Sequence, residues 1–187
     1  MEKLISKQAE LLKAFKQQAI ANNRLWNVNK ETAFLLNILV TIKQPKHILE
    51  IGTSNGYSTF FLALDNNIQV TTIDVDEKRQ SMARDNLQDF TNITFIKAKA
   101  EDIIETLDKK IDVLFIDANK PAYINYLKLC EPILNDQALI IADNIDSHPE
   151  TTSAYHKYVL RDEKYKTIHL SLDAGLLISI YSQTLNI

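Results

Sequence analysis

The chain has few of the residues that mark specialised classes of protein. Its 187 residues include one cysteine, three glycines and four prolines. The single cysteine, Cys130, cannot form a disulfide within the chain, so a disulfide framework is excluded. The longest apolar runs fall well short of the roughly 20 residues that a membrane-spanning helix needs. With an N-terminus that is charged rather than signal-like, these absences predict a soluble, cytoplasmic protein without a membrane partner.

The composition also lacks a strong charge bias. Twenty-one Lys and Arg residues face 24 Asp and Glu residues, which gives a net charge of -3. Such a balance neither requires nor excludes a polyanionic partner. The length favours one domain over residues 1–187, with the helical residues 1–44 packed on it.

The spacing of apolar residues changes near residue 47. Before it, apolar residues recur at helical spacing over residues 2–21 and 31–42, which predicts two helices. After it, short apolar runs rich in β-branched residues alternate with helical stretches. We expect strands at residues 47–51, 70–74, 93–98, 113–117 and 138–143. Nearly continuous apolar strands of this kind lie in parallel sheets with helices on both faces, so the fold class is α/β.

The C-terminal part departs from this rhythm. Two further runs, at residues 165–171 and 176–182, are separated by only four residues. A connection this short cannot make a parallel crossover. The two runs are therefore expected to form an antiparallel hairpin at one side of the sheet.

A glycine-containing loop follows the first predicted strand. Two of the three glycines of the chain, Gly52 and Gly56, lie in it. Ligands of open parallel sheets bind beyond the carboxyl ends of the strands, where such a loop lies. Gly52 would let the backbone approach a ligand closely, and Ser58 could offer a hydroxyl near the start of the next helix. A tight turn alone would also explain one of the glycines.

Asp74 ends the second predicted strand. An acidic side chain at this position can accept hydrogen bonds from both hydroxyls of a ribose, which indicates an adenosine-bearing cofactor. The alternative is that Asp74 caps the following helix. The G-x-x-x-G spacing lacks the G-x-G-x-x-G pattern of dinucleotide sites, which counts against a nicotinamide-dependent reductase.

Two more acidic residues end predicted strands. Asp117 and Asp143 should reach the same edge of the sheet, with Asn144 beside the second of them. Three hard oxygen donors with open positions suit Mg²⁺. Capping of the helices that follow is the alternative use of each side chain.

Several segments together resemble the class I S-adenosylmethionine-dependent O-methyltransferases, and among them the metal-dependent catechol and caffeoyl-CoA type. The resemblance is carried by residues 50–58, 115–120 and 142–144 and by Tyr123 and Tyr126. It implies a Rossmann-like methyltransferase fold, a mostly parallel seven-stranded sheet with a C-terminal antiparallel hairpin and helices on both faces.

The resemblance also implies the cofactor and its contacts. S-adenosylmethionine would be bound by Val28, Glu50, Gly52, Ser54, Gly56, Ser58, Asp74, Val75, Ala100 and Asp117. Within this set, Gly52 and Ser54 would lie along the methionine moiety, and Ser58 would bind its carboxylate.

A divalent metal, Mg²⁺, would be bound by Asp117, Asp143 and Asn144. Lys120, together with Asp117, would be catalytic: Lys120 could take the hydroxyl proton or stabilise the oxyanion. A solvated surface lysine is the alternative for Lys120.

The activity implied by the resemblance is methyl transfer to a hydroxyl of a small phenolic or vicinal-diol substrate, by a homodimer. Leu177 aligns with the carboxylate that pins the second hydroxyl in catechol-methylating members, so catechol itself is not expected. Two alternatives stay open. One is a tRNA hydroxyuridine acceptor, and the other is a non-catalytic cofactor-binding module of the same fold.

Overall fold

The computed structural model describes residues 2–22, 25 and 27–183, with side chains from residue 8 onward. The helices are α1 (Glu2–Ala21), α2 (Lys30–Lys43), α3 (Tyr57–Leu62), α4 (Glu77–Asn86), α5 (Ala100–Ile103), α6 (Tyr123–Cys130) and α7 (Pro149–Arg161). The strands are β1 (His47–Ile51), β2 (Gln69–Asp74), β3 (Ile93–Lys97), β4 (Ile111–Ile116), β5 (Leu134–Ala142), β6 (Tyr165–Leu170) and β7 (Leu176–Tyr181).

Seven strands form one sheet in the order β3-β2-β1-β4-β5-β7-β6. The neighbours among β1 to β5 pair in parallel, whereas β7 pairs antiparallel with both β5 and β6. The prediction of a mostly parallel sheet closed by an antiparallel hairpin is therefore confirmed.

The main difference from the predicted elements lies at the start of β5. This strand begins at Leu134 rather than near residue 138, and its register with β4 shifts between Ile111 and Val113. Gln137, at φ 60°, lies in this irregular stretch. The start of this strand is not recognisable in the sequence, because residues 135–137 are polar and a bulge interrupts the alternation of apolar and polar residues that is typical of strands.

The sheet has a core on each face because successive strand residues point to opposite sides. Leu114 and Ile116 of β4 face one side and pack with residues of α5, α6 and α7. Val113 and Phe115 face the other side and pack with residues of α1, α2 and α3, including Phe15 of α1 at 0% exposure. Helices thus cover both faces, as the sequence predicts.

Helix α2 is fixed by local signals at both ends. The Asn29 side chain caps it by accepting a hydrogen bond from the Thr32 amide, at 2.7 Å. The helix ends at Gln44 in the left-handed conformation, directly before Pro45. Within the described part of the chain, no helix is both long and apolar enough to cross a membrane.

Candidate active site

A cavity of about 910 Å³ opens at the carboxyl ends of β1, β2 and β4. Eight residues that the sequence predicts for the site line it: Gly52, Ser54, Asp74, Val75, Ala100, Asp117, Lys120 and Asn144. Their convergence follows from the parallel sheet, which brings the ends of its strands to one edge.

Four other predicted cofactor residues do not line this cavity. Val28 packs into the core cluster that contains Phe15, and Gly56 lies against α4. Ser58 donates its hydroxyl hydrogen to Glu50 at 2.6 Å, and Glu50 itself is fully buried. None of these four residues belongs to the cavity wall.

Glu50 is surrounded by hydroxyl groups. Besides Ser58, Thr59 and Thr72 also donate to its carboxylate, and Thr72 does so at 2.6 Å. Burial raises the pKa of Glu50 to about 7, although the three hydroxyl donors oppose this rise. Glu50 thus joins β1, β2 and α3 beneath the loop.

Gly52 allows the glycine-containing loop to touch the end of β4. Its φ is +109°, and a Cβ atom at this position would lie 2.0 Å from the carbonyl oxygen of Asp117. Any side chain would force the two segments apart. The close contact sets the loop directly beside Asp117.

Asp74 lies in the cavity wall and is held by backbone groups. Its two carboxylate oxygens accept from the Ser54 and Asp76 amides, each at 2.8 Å. The cap of α4 is Asp76, which accepts from the amides of Lys78 and Arg79, so Asp74 does not cap the helix. Each oxygen of Asp74 retains capacity to accept a further bond from a ligand.

The acidic residues at the ends of β4 and β5 come together as predicted. Lys120 donates to Asp117 Oδ1 at 3.0 Å. Asp143 is 1% exposed, and its Oδ1 has no hydrogen-bond partner among the described residues. Burial raises the pKa of Asp143 to about 7, and the charge of Asp117 adds to this rise. Burial also raises the pKa of Asp117, against the opposing effect of Lys120.

A third carboxylate near this pair, that of Asp173, was not predicted from the sequence. Asp173, in the turn between β6 and β7, accepts from the Asn29 amide at 3.2 Å, and its charge raises the pKa of both Asp117 and Asp143. Leu177 is fully buried in the core, whereas Asp173 places a carboxylate within electrostatic reach of Asp117 and Asp143. The Asp-Ala-Gly sequence of the turn was the available signal.

The segment 144–148 is held against the same turn. The Ile145 and Asp146 amides donate to the carbonyl oxygens of Gly175 and Ala174, at 3.0 and 2.8 Å. Asp146 also accepts from His169 Nε2 at 2.8 Å. A Cβ atom at Gly175 would lie 2.5 Å from the Asp146 nitrogen, so only glycine permits this contact.

The turn therefore fixes two residues that line the cavity, Asn144 and His148. His148 also lies near enough to the acidic pair for its positive charge to lower the pKa of Asp117. The sequence did not single out His148, since no histidine in the chain shows metal-ligand spacing.

The donor set at this edge is oxygen-rich and contains an amide. Across residues 2–22, 25 and 27–183, no group of three or more His, Cys, Asp or Glu side chains is arranged to hold a metal ion. A cation here would need the amide oxygen of Asn144 in addition to Asp117 and Asp143. Asn144 has φ 64°, a left-handed conformation that asparagine tolerates better than most residues.

Comparisons with known proteins show which sequences and folds the chain is similar to. A family model described as O-methyltransferase matches residues 2–176. The chain is 32% identical over 144 residues to a catechol O-methyltransferase from Niastella koreensis, an alignment that covers 72% of this chain and 65% of that relative. It is 31% identical over 124 residues to a catechol O-methyltransferase from Mycobacterium tuberculosis, covering 63% of this chain and 56% of the relative. The chain thus spans just under two thirds of the first of these relatives and little more than half of the second.

Two solved structures match over nearly the whole chain. A crystal structure from Staphylococcus aureus, provisionally described as a caffeoyl-CoA O-methyltransferase, has a TM-score of 0.84 at 28% identity and covers 97% of this chain and 98% of its own. An O-methyltransferase from Bacillus cereus, solved in complex with SAH, has a TM-score of 0.82 at 23% identity and covers 95% and 91%. The second likeness bears on the fold alone.

Proposed function

The chain belongs to the O-methyltransferase family, and from this premise we propose that it transfers a methyl group from S-adenosylmethionine to a hydroxyl of a small phenolic or vicinal-diol substrate, with the assistance of a divalent metal. One observation carries the metal-assisted chemistry. Asp143 keeps a buried carboxylate oxygen without a partner among the described residues, beside the Asp117–Lys120 pair at the cavity. A buried polar atom left in this way costs free energy unless a ligand satisfies it.

The cavity wall supports an adenosine-bearing cofactor. Asp74 offers carboxylate oxygens for ribose hydroxyls, and Val75 and Ala100 provide apolar surface beside it. Gly52 and Ser54 lie between Asp74 and Asp117, where the methionine part of the cofactor would extend. When bound, S-adenosylmethionine supplies an electrophilic methyl group on a sulfonium. The residues of the chain then have to orient the acceptor oxygen and accept its proton or stabilise the oxyanion.

The acidic residues fit a hard divalent cation. Two carboxylates and one amide oxygen, from Asp117, Asp143 and Asn144, leave several positions for water or substrate, as Mg²⁺ prefers. When bound, such a cation supplies Lewis-acid chemistry that favours the ionised form of an acceptor hydroxyl. Its charge would also offset the repulsion that raises the pKa of Asp143.

Lys120 is the residue placed to handle the acceptor proton. Its Nζ is 3.0 Å from Asp117 Oδ1 and lines the cavity, with its side chain 19% exposed. From there it can accept the hydroxyl proton or hold the developing oxyanion by charge. An intact Asp117–Lys120 pair beside Asp143 favours a catalytic protein over a cofactor-binding module.

The size of the cavity and the position of Asp173 favour a small acceptor with two neighbouring hydroxyls. A volume of about 910 Å³ suits a cofactor and a small molecule together. Asp173 lies within electrostatic reach of Asp117 and Asp143, and in this proposal its carboxylate accepts a hydrogen bond from a second hydroxyl. A vicinal diol would present one oxygen to the reacting centre and the other to Asp173.

Transfer of labelled methyl from S-adenosylmethionine tests the proposal. The acceptors are a panel of vicinal-diol phenols, their singly hydroxylated analogues as matched controls, and bulk tRNA, each with Mg²⁺ and with chelator. We expect label in the diols, less in the controls, and loss of label with chelator. Label confined to tRNA that falls steeply with salt would overturn the small-molecule acceptor. Label that persists in chelator would overturn the metal.

A further inference from the structure

Helix α1 is attached to the rest of the protein along one narrow face. Of its described side chains, only that of Phe15 is buried. Phe15 packs edge-to-face against Tyr57 at a ring-centroid distance of 5.4 Å, and its ring centroid lies 6.1 Å from that of Phe60. Both partners belong to α3, the helix that follows the glycine-containing loop. The buried side chain of α1 thus contacts the element that continues this loop.

Gln18, one turn after Phe15, joins a network of three side-chain amides. Residues three apart lie on the same face of a helix, so Gln18 and Phe15 reach the same part of the molecule. Gln18 Oε1 accepts hydrogen bonds from Asn55 Nδ2 at 3.1 Å and from Asn86 Nδ2 at 2.9 Å, and Gln18 Nε2 donates to Asn86 Oδ1 at 2.8 Å. Asn86 Nδ2 donates its second hydrogen to the Asn55 carbonyl oxygen at 2.9 Å. The network joins α1 to the loop and to the last turn of α4.

The loop that this network contacts has a backbone that needs support. Gly52, Ser54 and Gly56 all have positive φ, at 109°, 49° and 88°. For a serine this left-handed conformation is uncommon, and it persists only where the surrounding contacts impose it. At the cavity wall the Ser54 amide donates to Asp74. The next residue, Asn55, is fully buried, does not line the cavity and is held by the amide network.

We propose that Gln18 is a positioning residue for the cofactor: through Asn55 and Asn86 it fixes the loop in the conformation that receives the methionine part of S-adenosylmethionine. The inference rests on the proposed function, since it takes Gly52 and Ser54 as cofactor contacts. Gln18 does not line the cavity, so it acts only through the loop. Without its amide, Asn55 and Asn86 lose the hydrogen bonds that it provides, and the loop gains freedom that cofactor binding then has to remove.

The coupling between α1 and the cofactor acts in both directions, because the two equilibria share one coupling free energy. Docked α1 favours the loop conformation that binds the cofactor, so bound cofactor favours docked α1. A helix with a single buried side chain opens locally at low cost, which makes the effect measurable by hydrogen exchange. We therefore expect the cofactor to slow hydrogen exchange in α1, although no described residue of this helix lines the cavity.

Calorimetry with S-adenosylhomocysteine tests the role of Gln18 and needs neither an acceptor nor a metal. The variant is Gln18→Met, which keeps the length of the side chain and removes its amide, and the matched control is Gln17→Met, at an exposed position of α1. We expect Kd to rise about tenfold in Gln18→Met, the scale of one lost hydrogen bond, and to stay within about twofold in the control. An unchanged Kd in folded Gln18→Met would overturn the role of Gln18. No binding by the unaltered protein would instead overturn the proposed cofactor, and this inference with it.

Hydrogen exchange and a double variant separate positioning from general stabilisation of the fold. Saturating S-adenosylhomocysteine should slow exchange of the α1 amides in the unaltered protein and in Gln17→Met, and should slow it less in Gln18→Met. Asn86→Leu should raise Kd as Gln18→Met does. The two changes together should raise it no further than the larger single effect, because they break the same network. Equal protection of α1 in Gln18→Met and the unaltered protein, or additive effects on Kd, would overturn the network as the link between α1 and the cofactor.

Discussion

Two buried carboxylates, Glu50 and Asp143, have the same raised pKa but opposite surroundings. Burial raises the pKa of each to about 7. Glu50 receives hydrogen bonds from three hydroxyl groups, whereas Asp143 leaves Oδ1 without a partner among the described residues and faces the charge of Asp117. A perturbed pKa by itself therefore does not identify a functional residue. Asp143 is distinguished by an unsatisfied carboxylate oxygen that lies close to a second carboxylate, Asp117, at the cavity.

The largest expected effect concerns Asp143. Asp143→Ala should lower methyl transfer on the order of 1,000-fold, because a ligand of the proposed metal is lost. Cofactor affinity, measured by calorimetry with S-adenosylhomocysteine, should change less than transfer does, because Asp143 does not line the cavity. Unchanged transfer by a folded variant would remove Asp143 from the site.

Lys120 should give the next largest effect. Lys120→Ala should lower kcat on the order of 100-fold with a smaller change in KM, because its role is in the transfer step. Lys120→Arg separates the two possible roles, since arginine keeps the charge but does not accept a proton. Recovery of kcat by arginine would assign Lys120 to oxyanion stabilisation. Equal loss in both variants would assign it to proton acceptance, and equal kcat in all three proteins would exclude both roles.

Glu50 should affect stability more than chemistry. Glu50→Ala leaves Ser58, Thr59 and Thr72 without their buried acceptor and opens a cavity, which should cost about 2 kcal/mol of unfolding free energy. Urea denaturation measures this loss, and Asp143→Ala is the matched control, because no side-chain donor loses its partner there. If Asp143→Ala proved the more destabilising of the two, the contrast between the carboxylates would be wrong.

The pH dependence of stability should show both carboxylates. Each has a folded pKa of about 7, above the value near 4 of an unfolded chain, so each contributes stability that is complete below about pH 4 and is lost as pH rises towards 7. The metal-free protein should therefore lose on the order of 5 kcal/mol between pH 5 and pH 8, about half of it from each carboxylate. Glu50→Gln and Asp143→Asn should each flatten this slope, and Mg²⁺ should remove only the part due to Asp143. A flat profile in the unaltered protein would contradict both raised pKa values.

The parts of the fold that depend on local pattern could be predicted from the sequence. Apolar runs that end in Asp74, Asp117 and Asp143 gave the parallel strands and the edge where these acids meet, because parallel strands place their carboxyl ends together. The hairpin was readable from the short connection between its strands. The start of β5 was not, since polar residues and a bulge conceal it.

The parts that depend on contacts between distant segments could not be predicted. The Ser58 hydroxyl donates to Glu50, eight residues earlier in the chain, and its contact with the cofactor stays a prediction. Asp173 reaches the acidic pair only because the hairpin turn packs on the segment after β5 and on the start of α2. No periodicity in the sequence records either contact.

The position of β7 in the sheet has a consequence for the order in which the protein is completed during synthesis. β6 pairs only with β7 among the described strands, and β7, although made later, lies between β5 and β6. A growing chain can form the parallel strands and the loop around Gly52 before β7 is available to pair with β6. The turn that holds Asp146 joins the sheet with β7, so Asn144 and His148 in the cavity wall are fixed in place after the residues around Gly52.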